Sequence, residues 1–428
     1  MFKGGVRPEP LPAPSFAGME EVFVYDAVRT PRARGGAQGA FREVRPFRLP
    51  SKLLLALRER HPGLDPAAVT DVLLGCASPL GDQGYNVAQA ALQDAGWPSS
   101  VAAATVSRYR AAGLESVYQA VARISAGLDG AIVAGGVESV SRVPLGAGGG
   151  ALLEDPDLIL GRGTLPHGIA ADLVATLRGY GRERLDAYAL DSHRRAAEAS
   201  AGGRFADSLV AVRDRSGIPL LDRDEGLREG LTAESLASLP AAFAKTVPAR
   251  GGALPSEGFD ALARARYPQL AEVCHVHTGG NAAAPADGAA LALLGTVAFG
   301  KANGLTPRAR LLSVALASSE PTVMLLGLLP AAEAALTRAD VTADGVDVFE
   351  VDETFAALPL ALAEHLGVEL ARVNVNGGAI AHGHAAGAEG TALLAAAVDE
   401  LHRRGARYGL VAVSAAGGQG MACVVERV

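Results

Sequence analysis

The chain has 428 residues, 49% of them apolar and 20% charged, with a formal net charge of −7. That length exceeds what one ordinary core fills, so two or three core units or one large compound fold are expected. The acidic balance argues against nucleic acid or an anionic membrane as the main partner. The cysteines, Cys76, Cys274 and Cys423, are widely spaced and odd in number. They offer neither a disulfide framework nor a metal spacing, and each reads as a buried structural thiol in a reducing, cytoplasmic setting.

Residues 1–17 are rich in Pro and Gly and lack an apolar stretch, which predicts a disordered lead and not a signal peptide. No run reaches the roughly 18 apolar residues of a membrane span. Strand-like and Ala-rich helical runs then alternate, the grammar of an α/β protein. A strand over 22–27 ends at Arg29-Thr30-Pro31, and one over 71–77 is followed by a helix over 86–95. A turn at 107–110 leads into a helix over 114–126. A buried strand over 131–134 follows and ends in Gly135-Gly136.

From 144 to 265 the pattern turns polar and helical, with a helix over 182–199 and Gly-rich breaks at 148–150 and Gly251-Gly252. This reads as an inserted lobe covering one face of the core. The C-terminal third repeats the first: strand 346–351, helix 358–366, strand 373–378, helix 387–403, and strand 409–414 ending in Gly417-Gly418. The shared order predicts a duplicated unit. Each half places a turn before a helix N-terminus, where reactive groups sit in such folds.

Several blocks carry a family likeness, in order along the chain. Asp26-Ala27-Val28-Arg29-Thr30-Pro31 opens it, and Ala134-Gly135-Gly136-Val137-Glu138-Ser139 follows the first central helix. Thr278-Gly279-Gly280-Asn281 with Asp287-Gly288 re-enters the core. Asn376-Gly377-Gly378-Ala379-Ile380-Ala381 with Gly383-His384 is the strongest motif, and Ala416-Gly417-Gly418-Gln419-Gly420 comes near the end. From about Val22 onward the sequence resembles the thiolase superfamily, of the acetyl-CoA acetyltransferase and 3-ketoacyl-CoA thiolase type. The resemblance implies a thiolase fold: a duplicated αβαβα five-layered core with an inserted helical loop domain. The expected division is 18–143 and 266–300 for the N-terminal half, 144–265 for the loop domain, and 301–428 for the C-terminal half. It also implies a homodimer or dimer of dimers, pairing edge strands near 71–77 or 105–107. No tightly bound cofactor is expected, with a CoA thioester as substrate or ligand.

The resemblance places two thiols in such a site, and this sequence has neither. In Val106-Ser107-Arg108-Tyr109-Arg110-Ala111-Ala112-Gly113, Arg110 stands where the family has its acyl-accepting cysteine. Counting back from Gly420, Ser414 stands at the acid/base cysteine. A guanidinium has no lone pair free for attack, and a serine hydroxyl does not titrate near neutral pH. A cation at a helix N-terminus costs about 0.3–1 kcal/mol when exposed, and more when desolvated and unpaired. Arg110 therefore needs an anion, either from the protein or from a ligand. Asp352-Glu353-Thr354-Phe355, matching the family's Asn-Glu-Ala-Phe block, supplies Asp352 or, failing that, Glu353. A separation well beyond ~4 Å would exclude the pair.

His384 keeps the family's active-site histidine position, with Ala385 in place of the usual proline. The catalytic set expected by resemblance is His384, Glu353, Asp352, Arg110 and Ser414. The CoA-contacting set is Arg228, His167, Ala283, Met324 and Gly418, where His167 and Ala283 replace a customary Met and Ser. Two functions follow. One is a divergent enzyme acting on a CoA thioester or related acyl substrate without an acyl-cysteine. The other is a non-catalytic homologue that binds CoA esters or serves as a scaffold. A polar, open pocket around Arg110, His384 and Glu353 would favour the first; a site filled by Tyr109 and Arg110 would favour the second.

Overall fold

The computed structural model describes residues 19–245 and 258–428, apart from residue 215. The expectations for 1–17 and for Gly251-Gly252 lie outside the described residues. Ten strands form one sheet: β1 Val22–Arg29, β2 Ala33–Arg34, β3 Asp71–Gly75, β4 Ala102–Val106, β5 Ala131–Glu138, β6 Ala286–Gly295, β7 Ala309–Ser318, β8 Val348–Val351, β9 Tyr408–Ser414 and β10 Gln419–Arg427. Their order is β8-β9-β10-β7-β1-β6-β5-β3-β4, with β2 paired to β6. The two halves meet through a short antiparallel seam, Val22 opposite Leu311 and Val24 opposite Ala309.

Side chains alternate across each strand, so each half of the sheet has two faces to bury. On one outer face, α1 (Arg48–Arg60) and α2 (Val87–Asp94) pack Leu53, Leu57 and Leu92 on Val72, Leu74 and Val133. On the other, α6 (Leu328–Ala339) and α7 (Ala357–Leu366) pack Leu328, Leu358 and Leu362 on Phe349, Leu410 and Val424. Between the halves lie α3 (Ala112–Ser125) and α8 (Glu389–Arg404), whose Leu114, Val117, Leu394 and Val398 meet Ile132, Val411, Val413 and Met421. The result is the five-layered αβαβα arrangement. The polar middle segment supplies α4 (His167–Arg178) and α5 (Arg182–Ala201), whose Ile169, Leu173, Leu185 and Tyr188 join the C-terminal outer core. No helix among the described residues is long and apolar enough to cross a membrane.

Three expectations about strands fail for physical reasons. The strand expected to stop at Gly135-Gly136 runs through both glycines to Glu138. A Cβ on Gly136 would lie 1.9 Å from the Gly387 carbonyl oxygen, so glycine here serves close backbone approach and not a turn. Residues 373–378 form no strand. Asn374 sits at φ 46, and its amide takes the place of a backbone neighbour, accepting from Val351 N at 2.7 Å and donating to Val351 O at 3.0 Å. The stretch 71–77 is not a free edge, because β3 lies between β4 and β5. The alternative given for that edge, near 105–107, falls on the outer strand β4, which is mostly half-buried.

Cys76 and Cys423 are buried, and burial pushes the Cys423 thiol up to about 12 and that of Cys76 higher still. Cys274, expected to be buried, is exposed; its strandless segment is tied to α4 by Cys274 N donating to Thr176 Oγ1 at 2.9 Å.

Gly75 ends β3 directly against the start of α3, where a Cβ would lie 2.2 Å from the Ala112 carbonyl carbon. Gly75→Ala should therefore cost about 1–3 kcal/mol in chemical unfolding, the range of an overpacked core. Gly130→Ala, where a Cβ meets nothing within 4 Å, should leave the midpoint unchanged.

Candidate functional site

The site lies where strand ends meet a helix start. β8 and β9 run parallel with Val351 opposite Ala412, so Asp352 and Ser414 emerge side by side at their C-terminal ends. The turn between β4 and α3 brings Arg110 to the same place. Tyr109 in that turn holds φ 51, a left-handed conformation unfavourable for a non-glycine residue. Its ring stacks on His167 with centroids 5.6 Å apart, and Arg108 anchors the turn by donating to Glu115 at 2.6 Å.

Arg110, Asp352 and Ser414 form one unit. Arg110 Nη2 donates to Ser414 Oγ at 2.6 Å and lies 3.8 Å from Asp352 Oδ2, with both charged side chains buried. Ser414 Oγ in turn donates to Asp352 Oδ2, and Ser414 N donates to the same oxygen at 3.2 Å. Thr354 covers the other oxygen, its N donating at 2.8 Å and its hydroxyl donating as well. Burial alone would raise the Asp352 pKa. Arg110 first, then His384 and the two hydroxyls, outweigh it and hold the carboxyl down at about 2.

His384 follows Gly383 (φ 94) and is fixed by its backbone, N donating to Ala284 O at 2.9 Å. Burial pushes its pKa down to about 4, with Asp352 opposing and Arg110 and Arg32 adding to the fall. His167 is driven to about 3, by burial first and Arg110 second. Both imidazoles are thus neutral, and the Nε2 atoms of both are buried without a partner among the described residues.

Other expected residues fall elsewhere. Glu353 is not brought to Arg110. Its carboxylate accepts from Tyr188 Oη and Ser192 Oγ, each at 2.8 Å, from Ile380 N at 2.9 Å and from Asn374 Nδ2 at 3.2 Å. That set locks α5 to the core and leaves no free acceptor site. Met324 is buried in a tight turn, and the Gly418 carbonyl is held by Ser319 N at 2.7 Å. Ala283 N donates to Thr354 O at 2.9 Å. Arg228 is exposed and donates to Gly279 O at 3.0 Å, on a cleft that does not include His167. Tyr109 and His167 line a separate cavity of about 390 Å³, walled by Leu80, Leu152 and a run of glycines. Among the described residues, Arg110, Asp352, Glu353 and His384 line neither the Tyr109–His167 cavity nor the Arg228 cleft.

One buried pair behind the site was not anticipated. Arg32 Nη2 lies 3.1 Å from Glu389 Oε2, both buried, and burial lifts the Glu389 carboxyl to about 7 against the pull of Arg32. A charge inside each of two otherwise small-residue motifs was the available signal.

Asp352→Asn would leave Arg110 buried and unpaired, and should cost about 3–5 kcal/mol in chemical unfolding. Adding Arg110→Met should return most of that loss; full additivity of the two changes would show that the pair is uncoupled. The pH dependence has a definite sign. His384 and His167 bind protons less readily folded than unfolded, where 6.5 is the reference value. Their contribution is therefore present above pH 6.5 and is lost as pH falls towards about 4, by on the order of 3 kcal/mol for each. Asp352, lowered from 3.8, adds a further loss only as pH falls from about 4 towards 2. Glu389, lifted to about 7, gains stability over the same interval, so the first loss is read as a difference: between pH 7 and pH 4.5, urea unfolding of wild type should lose more stability, or gain less, than that of His384→Gln.

The chain matches the thiolase N-terminal domain over residues 22–251 and the thiolase C-terminal domain over 305–427. It is 36% identical to the 3-oxoadipyl-CoA/3-oxo-5,6-dehydrosuberyl-CoA thiolase of Escherichia coli, covering 96% of this chain and 100% of that protein. It is 38% identical to the beta-ketoadipyl-CoA thiolase of Pseudomonas aeruginosa, over 95% and 99% of the two. The crystal structure of the Bacillus anthracis acetyl-CoA acetyltransferase superposes with a TM-score of 0.80 at 29% identity, covering 96% of this chain and all of that one. Fold, strand-end geometry and both matched domains agree: the chain belongs to the thiolase family.

Proposed function

We propose that this protein binds a CoA thioester, or a related acyl ligand, without forming an acyl-enzyme, as a non-catalytic member of its family. The observation that carries this is the Arg110–Ser414–Asp352 unit, buried and joined by hydrogen bonds through Ser414 where acyl transfer would occur. Arg110 has no lone pair to attack with. Ser414 Oγ donates to a carboxylate whose pKa near 2 makes it a poor proton acceptor. The cavity beside Tyr109 and His167 remains as a place for an acyl group, and its lining is mostly apolar.

A second reading keeps one specific observation. The His384 imidazole is neutral, with Nε2 unpartnered, so it can accept a proton in a cleavage that needs no acyl-cysteine. With a pKa near 4 it would be a weak base at pH 7. For either reading we propose assembly as a homodimer or dimer of dimers through the outer strand β4, and a cytoplasmic location.

The test is incubation with acetyl-CoA and acetoacetyl-CoA, read by intact mass, by thioester turnover and by calorimetric binding. Wild type and His384→Ala should show no acyl adduct and no turnover, with binding retained in both. Turnover in wild type that His384→Ala abolishes would establish the second reading and sink the first.

A further inference from the structure

One histidine away from the Arg110 unit holds two elements at once. The short helix Gly258–Arg266 packs Phe259, Leu262 and Ala263 into the same core as Ile169 and Leu173 of α4. His275 bridges the two. Its Nδ1 lies 2.8 Å from Asp172 Oδ2 on α4, and its Nε2 lies 2.9 Å from Asp260 Oδ2 on the short helix. A neutral imidazole carries one N–H and cannot donate to both carboxylates. Both contacts are hydrogen bonds only when the ring is an imidazolium.

The two contacts are not equally fixed. Asp172 is fully buried, and its other oxygen accepts from His277 Nδ1 at 2.8 Å, His277 N at 2.9 Å and Val276 N at 3.1 Å. Cys274 N is tied to α4 as well, through Thr176 Oγ1 at 2.9 Å. That end stays in place whatever the charge on His275. The Asp260 side chain is 36% exposed, so when it faces an imidazole lone pair it turns to water instead. The remaining polar ties of the short helix lie at its C-terminal end. Arg266 Nη2 donates to Gly161 O, and Tyr267 Oη to Glu320 Oε2, each at 2.5 Å.

The charges around the ring agree with this geometry. Asp172 and Asp260 face it from the two packed elements. On α4, Arg178 is directed at Glu364 at 3.6 Å. On the short helix, Arg264 lies one turn beyond Asp260, and Arg266 is engaged at Gly161. On the segment of His275 itself, His277 contacts Asp172 and Glu272 is exposed. Burial by itself would lower the His275 pKa. The hydrogen bonds to Asp260 and Asp172, with their charges, outweigh it and raise the value above the ordinary 6.5.

We infer that His275 is a proton-operated latch for the start of the helix Gly258–Arg266. With its proton on, the ring bridges Asp172 and Asp260. With the proton off, the Asp172 bond remains and the Asp260 bond is lost, so the first turn of the helix loosens while its C-terminal end stays tied. Because the folded value lies above 6.5, the latch is closed below pH 6.5 and opens as pH rises through the folded value. The inference does not depend on the acyl-ligand reading, since it uses no residue of the Arg110 unit or of the His167 cavity.

The experiment uses the full chain, with amide hydrogen exchange of the short helix and the His275 Hε1 resonance as separate readouts. Protection of the helix amides, corrected for the intrinsic pH dependence of exchange, should fall about tenfold in wild type between about pH 6 and pH 9. Protection of α5 should stay level over that range. The His275 resonance should titrate above 6.5, alongside the loss. In Asp260→Asn the carboxamide can donate to a neutral Nε2 as well as accept from a protonated one, so protection of the helix should no longer depend on pH. Equal falls in wild type and Asp260→Asn overturn the inference. So does wild-type protection that stays level, or a His275 resonance that titrates below 6.5.

Discussion

A cation buried at the start of a central helix is the constraint around which this site is organised. The N-terminus of α3 presents its own partial positive charge, so the Arg110 guanidinium is doubly unfavourable there without an anion. Asp352 supplies that anion, but at 3.8 Å it does not reach Arg110 with a direct hydrogen bond. Ser414 fills the gap, accepting from one and donating to the other. The three residues therefore act as one unit. With Thr354 satisfying the far oxygen of Asp352, the carboxylate is both charged and fully hydrogen-bonded.

The unit depends on close backbone packing that only glycine allows. Gly75 lets the end of β3 meet the start of α3, and Gly136 lets β5 meet the carbonyl of Gly387, just ahead of α8. These contacts fix the height at which α3 enters the central layer, and hence where Arg110 lies relative to β8 and β9. The left-handed Tyr109 is the local cost of that placement, held by its stack on His167. Electrostatics follow from the same closeness. Burial keeps His384 and His167 neutral and Arg110 adds to that, while Arg110 is the main influence keeping Asp352 ionised against its burial.

Behind this lies a second layer of buried charge. Arg32 and Glu389 pair beneath the site, and Arg29 pairs with Asp224, which also meets His382 at 3.0 Å. Glu353 belongs to neither layer. It acts as a fastener, gathering donors from α5, from Asn374 and from the Ile380 backbone. A carboxylate beside an active-site motif is thus here a packing element, a distinction that depends on which way the chain turns after β8.

Much of this was legible along the chain. Glycine blocks in order and alternating apolar runs identify the fold, because turn chemistry and residue type are local properties. The need of Arg110 for an anion also follows from sequence, since a helix N-terminus repels a cation wherever it is. Only the tertiary structure decided which carboxylate answers it. Parallel strands β8 and β9 bring Asp352 and Ser414 side by side across 62 residues of chain, while Glu353, one residue on, is turned to the opposite set of donors. The choice between 71–77 and 105–107 as the outer strand, and the Arg32–Glu389 pair, were hidden for the same reason. An edge, or a partner 357 residues away, is defined by what packs beside it, and a linear pattern carries no record of that.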